Sequence, residues 1–186
     1  MRAIYGIALL AVVLAVVGAA YAAWTEQLQI YTKVQTGELD VAFNPNSLSV
    51  SDQGADPQAP GYSNPQGYDV ASASLQVSAQ DDEGDAIKLD FIVSNAYPGY
   101  TACAYFNIDN VGTIPAKLAS IDFDQQPDAL TISHNMTVGD IIEVGGSKPY
   151  KLCITVNDNA QEQSTYEFTV TLTFEQWNVG SSSSGG

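Results

Sequence analysis

Residues 165–177, TYEFTVTLTFEQW, decide the fold. Tyr166, Phe168, Val170, Leu172 and Phe174 fall on alternate positions, separated by Glu167, Thr169, Thr171 and Thr173. Successive side chains of a strand point to opposite faces, so this spacing predicts a β-strand with one apolar face. A single strand cannot bury that face alone, and the rest of the chain has to supply its cover.

The same period recurs on the way back toward the N-terminus. Residues 150–156 (YKLCITV), 116–123 and 101–111 read as strands, and so do residues 70–78. Ile87, Leu89, Phe91 and Val93 give a clean alternation, and Leu39, Val41 and Phe43 a shorter one. Residues 130–133 and 141–144 are brief candidates. Turn signals separate them at Asp81-Asp82-Glu83-Gly84-Asp85, residues 95–99, Gly112, Gly145-Gly146 and Asn157-Asp158-Asn159. Residues 47–67, rich in Pro, Gly, Ser, Asn and Gln, read as one long loop. No amphipathic helix and no internal repeat is evident outside the N-terminal apolar run. Short strands spaced by turns predict an all-β, jelly-roll-like antiparallel β-sandwich over residues 37–180. Residues 181–186, SSSSGG, read as a flexible tail.

Residues 1–22 read as an export signal. Arg2 is basic, residues 4–17 are almost unbroken apolar sequence, and Ala20-Tyr21-Ala22 fits the A-x-A pattern before a cut at Ala23. Residues 3–23 are also long enough to span a bilayer, so a retained anchor is the competing reading. A type IV pilin fits less well, because such pilins are cut before the apolar run and two residues precede Ala3. The chain has 186 residues, 21 of them acidic and six basic. Without Arg2, 21 acids against five lysines leave 16 net negative charges. Such a surface repels nucleic acid and anionic lipid and favours cations and basic partners; its plainest reading is a solvated exterior. With 45% hydrophobic residues, the charge does not reflect disorder.

Cys103 and Cys153 each sit inside a β-like run. In an exported chain the pair reads as one disulfide closing about 50 residues, against two buried thiols as the alternative. Neither cysteine has a second ligand at Cys-x-x-Cys spacing, so no metal site is expected. His134 is the only histidine and reads as an exposed loop residue. One histidine excludes a His-Glu-x-x-His zinc site, and no nucleophile motif accompanies it. No enzyme activity and no cofactor are expected; 21 acids produce carboxylate pairs by chance. The acidic turn at residues 81–85 and Asn157-Asp158-Asn159 offer hard oxygen ligands of the kind Ca²⁺ takes. They lack EF-hand spacing and read as solvated turns. Asn135-Met136-Thr137 is a sequon, making Asn135 the candidate glycosylation site.

Residues 23–36 form a segment of their own. From Trp24 the even positions read Trp24, Glu26, Leu28, Ile30, Thr32 and Val34. This predicts an extended strand whose apolar face is Trp24, Leu28, Ile30 and Val34, interrupted by Glu26. Its partner is either its own domain or another molecule.

Several stretches resemble one family. Tyr21-Ala22-Ala23-Trp24-Thr25-Glu26 followed by Thr36-Gly37-Glu38-Leu39-Asp40-Val41 is similar to the start of TasA/camelysin-type biofilm proteins. Asn110-Val111-Gly112-Thr113-Ile114-Pro115-Ala116-Lys117 resembles that family's turn between two strands. The run from Asn159 to Phe174-Glu175-Gln176-Trp177 resembles its closing segment. The branch most similar is that of archaeal bundling-pilus subunits. Trp24 stands where Phe is usual, and the cysteine pair is not expected of the bacterial members. The resemblance implies a secreted, extracellular jelly-roll subunit of a pilus or biofilm-matrix fibre, in which the N-terminal strand of one subunit is inserted into the next. Its partners would be copies of itself head to tail, with lateral contacts between filaments. No nucleic acid is expected, and the membrane is met only before signal cleavage. The protease activity once ascribed to camelysin is not carried over, because no zinc signature is present. The alternative is a monomeric, membrane-anchored cell-surface binding module.

Overall fold

The computed structural model describes residues 2–21 and 27–180, with the side chains of residues 19–21 left aside. It comprises two compact units, Met1–Thr36 and Gly37–Gly186. In the first, helix α1 spans Arg2–Tyr21 and has no charge beyond Arg2. Among the described residues no helix is long and apolar enough to cross a membrane.

The second unit is all-β and antiparallel. Its strands are β1 (Val41–Phe43), β2 (Ser49–Val50), β3 (Ser72–Gln80), β4 (Ala86–Ser94), β5 (Thr101–Asn110), β6 (Ala116–Phe123), β7 (Leu130–His134), β8 (Ile141–Ile142), β9 (Ser147–Val156) and β10 (Val170–Gln176). One seven-stranded sheet runs β3-β4-β1-β5-β9-β7, with β2 also on β5; a three-stranded sheet runs β10-β6-β8. Between them lie Phe106, Ile108, Leu118, Met136, Ile142 and Tyr150, all buried. A second buried cluster gathers Ala71, Tyr100, Ala102 and Ile154. The predicted β-sandwich is therefore the observed class.

Local departures from the expected strands have local causes. The loop at residues 47–67 contains β2, because a 3₁₀ turn at Pro45–Ser47 lets the chain leave β5 after β1 and return to it. Asn44 caps that turn: its side chain accepts from the Asn46 amide at 2.9 Å and donates to Asp109 at 2.8 Å. The alternation of β4 fails at Ile87, which is exposed, while Ala86 is buried. The β3–β4 register shifts between Val77 and Gln80, and a bulge there turns the following face over. β9 begins at Ser147, ahead of Pro149. The amide and carbonyl of its neighbour Lys151 bond Asn135, on the side away from β5. Pro149 lacks an N–H on that same side, beyond the point where β7 ends, so no ladder bond is lost. His134 closes β7 instead of lying in a loop, and its ring stacks on Phe123 with centroids 5.8 Å apart.

Cys103 and Cys153 are directly opposite in the β5–β9 ladder, their Cα atoms 4.0 Å apart, and they form a disulfide. Converting both to serine removes a cross-link across 50 residues. The expected cost is about 4 kcal/mol in the chain-entropy account, checked by urea unfolding of the oxidised and serine forms.

Asp140 ties the loop before β8 to β9. It pairs with Lys148 at 2.6 Å and accepts from Tyr150 at 3.1 Å. Burial pulls its pKa up, but the Lys148 bond and charge together with Tyr150 hold it below the ordinary carboxylate value. A carboxylate with a depressed folded pKa stabilises the fold above the ordinary value of 3.8, and that stability is lost as pH falls through the folded pKa. Asp140→Asn is expected to cost about 2 kcal/mol at pH 7 and to flatten the acid limb of a stability–pH curve measured by denaturant unfolding.

Candidate functional site

The first candidate element is the arm. Residues 27–40 carry no regular secondary structure. Leu28, Ile30 and Val34 are 91%, 92% and 81% exposed, and Tyr31 is exposed as well. Trp24 and Glu26, the remaining members of the expected face, lie outside the described residues. Three large apolar side chains on alternate positions of an unpaired segment are the pattern of a strand without a partner.

The arm's root is fixed. The loop from Asn110 to Ile114 grips Glu38 and Asp40 through four backbone bonds. The amides of Val111 and Gly112 donate to the Asp40 carbonyl at 3.2 and 3.1 Å, and those of Thr113 and Ile114 to the Glu38 carbonyl at 2.9 and 3.2 Å. The Glu38 amide in turn donates to the Thr113 hydroxyl at 2.7 Å. Gly112 is required by closeness: a Cβ there would sit 2.6 Å from both the Asp40 nitrogen and the Glu38 oxygen. Asn110, 2% exposed, holds the loop from beneath. Its amide donates to the Ile114 and Ile142 carbonyls, each at 2.9 Å, and its side-chain oxygen accepts from Gly112 at 3.1 Å. The ordered domain thus begins where the arm ends, at Gly37.

The second element is the outer edge of β10. Among the described residues this strand pairs with β6 alone, from Val170↔Phe123 to Gln176↔Ala116. Its inward residues Val170, Leu172 and Phe174 pack on the main cluster but stay half-buried, and so do Leu75 of β3 and Leu89 of β4. A three-stranded sheet facing a seven-stranded one leaves those apolar faces incompletely covered. Residues 165–169 keep the alternating pattern but are not strand, because β6 ends at Phe123 and offers them no ladder. Asp124 closes that ladder: its carboxylate accepts from the Thr169 amide at 2.6 Å, and its own amide donates to the Thr169 carbonyl. The Thr169 bond holds the Asp124 pKa below the ordinary carboxylate value.

Other expected site residues are distributed as follows. Asn135 is exposed, continues the β7–β9 ladder, and accepts from the Lys151 amide through its side-chain oxygen at 2.7 Å. Two tyrosine-bearing loops, residues 60–62 and 97–100, pack against each other. Tyr100 is fully buried, and the Tyr62 ring packs over Gly99, where a Cβ would come within 2.3 Å. Tyr62 also donates to Asp158 at 2.5 Å. Beside them a shallow cleft of about 280 Å³ is lined by Gln58, Tyr62, Asn64, Tyr68 and Tyr97. Asp52, Asp56 and Asp69, separated in the sequence, are brought together by folding, with one oxygen of each within 4.8 Å of the others. No protein-family model matches the chain, and neither a curated protein nor a solved structure matches it significantly.

Proposed function

We propose that this chain is a structural subunit of an extracellular filament, in which the arm of one subunit adds as a strand to the free edge of β10 in the next. The observation that carries this reading is the narrow sheet: among the described residues β10 has one partner, and apolar side chains on the inner faces of β10, β3 and β4 are half-buried. A strand added beside β10 would cover them and satisfy its unpaired backbone groups. The arm has the required pattern, with Leu28, Ile30 and Val34 on one face. From Gln27 to Val34 it spans about 26 Å when extended, enough to run the seven residues of β10. The contact joins two different surfaces, so it repeats head to tail from subunit to subunit, and a rotation that does not close a ring makes it a filament. The resemblance to secreted biofilm-fibre subunits points the same way, and residues 1–22 supply the export signal such a route needs. Glycosylation at Asn135 and lateral contacts through the acidic surface belong to this reading.

The tyrosine-lined cleft favours a second reading, a monomeric surface module recognising a ligand such as a glycan. Negative-stain microscopy of purified cell-surface material, with an antibody to this chain, separates the two. Labelled filaments and a mature N-terminus near Ala23 support the subunit reading. Unlabelled filaments, or a chain retaining Met1 and found only as a monomer, overturn it.

A further inference from the structure

The tyrosine-lined cleft lies where the loop after β2 folds back on the β4–β5 turn, and its walls are fixed from behind. Tyr97 donates its hydroxyl to the Asp56 carboxylate at 2.8 Å, and Tyr62 donates its own to Asp158 at 2.5 Å. The Tyr62 ring is seated on Gly99, whose φ of 87° and closeness to that ring admit only glycine. Asp56, 3% exposed, ties down the opposite wall. Its carboxylate accepts from the Val70 amide at 3.0 and 3.1 Å and from the Ala71 amide at 3.2 Å, and its own amide donates to the Tyr68 carbonyl at 2.9 Å. Asn64 holds Tyr68 a second time, accepting from its amide and donating to its carbonyl, each at 2.8 Å. The Tyr68 backbone is therefore fixed while its side chain stays 62% exposed at the rim.

None of the eight residues lining the cleft is charged, in a chain with 21 acidic and six basic residues. They are three tyrosines, a valine, and the amides and hydroxyl of Gln58, Ser63, Asn64 and Gln66. We propose that this cleft binds a neutral oligosaccharide through about one or two of its sugar rings. A hexose ring has a face of C–H groups and a rim of hydroxyls. The C–H face suits tyrosine rings, whose π surface is negative, and the rim suits amides and hydroxyls that both donate and accept. The volume of about 280 Å³ falls just below the range usual for drug-sized ligands, which fits a ring or two and leaves the rest of a sugar chain in solvent. With no cation in its lining, the cleft offers nothing to a uronate, sulfate or phosphate, and the net negative charge of the chain repels them. Walls held by the protein's own bonds lose little freedom when a ligand arrives. The proposal rests on the second reading's use of the cleft and names its ligand. Microscopy separates monomer from polymer, whereas sugar binding is read on the chain in either state.

The test is affinity electrophoresis of the full chain in a polyoxyethylene detergent, through native gels containing dextran, mannan or glucomannan, with polygalacturonate as the anionic comparison. Migration slowed in at least one neutral gel and unchanged in polygalacturonate is expected. Tyr68→Ala should weaken the interaction about tenfold or more, and the exposure of that side chain keeps the fold intact. Tyr105→Ala removes a tyrosine 41% exposed on β5, outside the cleft, and should change nothing. Unhindered migration in all three neutral gels overturns the proposal. So does retardation that survives Tyr68→Ala, is lost with Tyr105→Ala, or is stronger in polygalacturonate.

Discussion

A chain beginning at Val34 is expected to remain soluble and monomeric under conditions in which the chain from Ala23 forms filaments. The domain itself should be untouched, because its N-terminal anchor is the grip on Glu38 and Asp40 and lies after the deletion. Single substitutions on the arm should grade the effect. Ile30 is 92% exposed on the free arm, so its whole side chain is available for burial in a neighbour. Burial of an isoleucine stabilises by about 1.5–3 kcal/mol, and placing a carboxylate there adds a desolvation cost. Ile30→Asp is therefore expected to raise the concentration needed for polymerisation about a hundredfold or more. Gln29→Asp, on the opposite face, should change it by less than about tenfold. Sedimentation of polymer against monomer over a concentration series measures all three. Filaments formed by the chain from Val34 would remove the arm from the mechanism.

The second large effect concerns the arm's root. Gly112→Ala places a Cβ 2.6 Å from two backbone atoms, neither of which can swing aside as a side chain would. Relief requires the loop from Asn110 to Ile114 to separate from Glu38 and Asp40, breaking bonds at 2.9–3.2 Å. Overpacking alone costs about 1–3 kcal/mol, and each buried group left unpaired costs about 1–3 more. Gly112→Ala is expected to destabilise the domain by about 4 kcal/mol. Asn110→Ala should cost about 3 kcal/mol, because the Ile114 and Ile142 carbonyls and the Gly112 amide all lose a partner. For a domain of this size either change lowers Tm by about 10 °C, checked by thermal circular dichroism. Val111→Ala, at an exposed neighbouring side chain, should be nearly neutral and serves as the comparison.

Periodicity was sufficient where a strand has a neighbour on each side and the register is regular. β6 runs from Ala116 to Phe123 as the alternation predicts. The pattern misled where register slips: Ile87 belongs to the apolar set by spacing, and a bulge against β3 sets it outside. It overreached at residues 165–169, where alternation is present but β6 has ended. Apolar pattern shows a capacity to pair, and only the ladder shows whether a partner is there. The cysteine pair was legible as a disulfide because both residues sat inside strands. The meeting of Asp52, Asp56 and Asp69 was not, because the three are separated in the sequence and come together only when the two ends of a long loop close. The edge the arm would join follows from counting strands in each sheet.

Helical reconstruction of the filaments by electron cryo-microscopy tests the central claim most directly. The account predicts that residues 28–34 of each subunit form an added strand beside Val170–Gln176 of the next, with Leu28, Ile30 and Val34 turned into its core. Residues 28–34 paired within their own subunit, or laid against β3 of a neighbour, would contradict it.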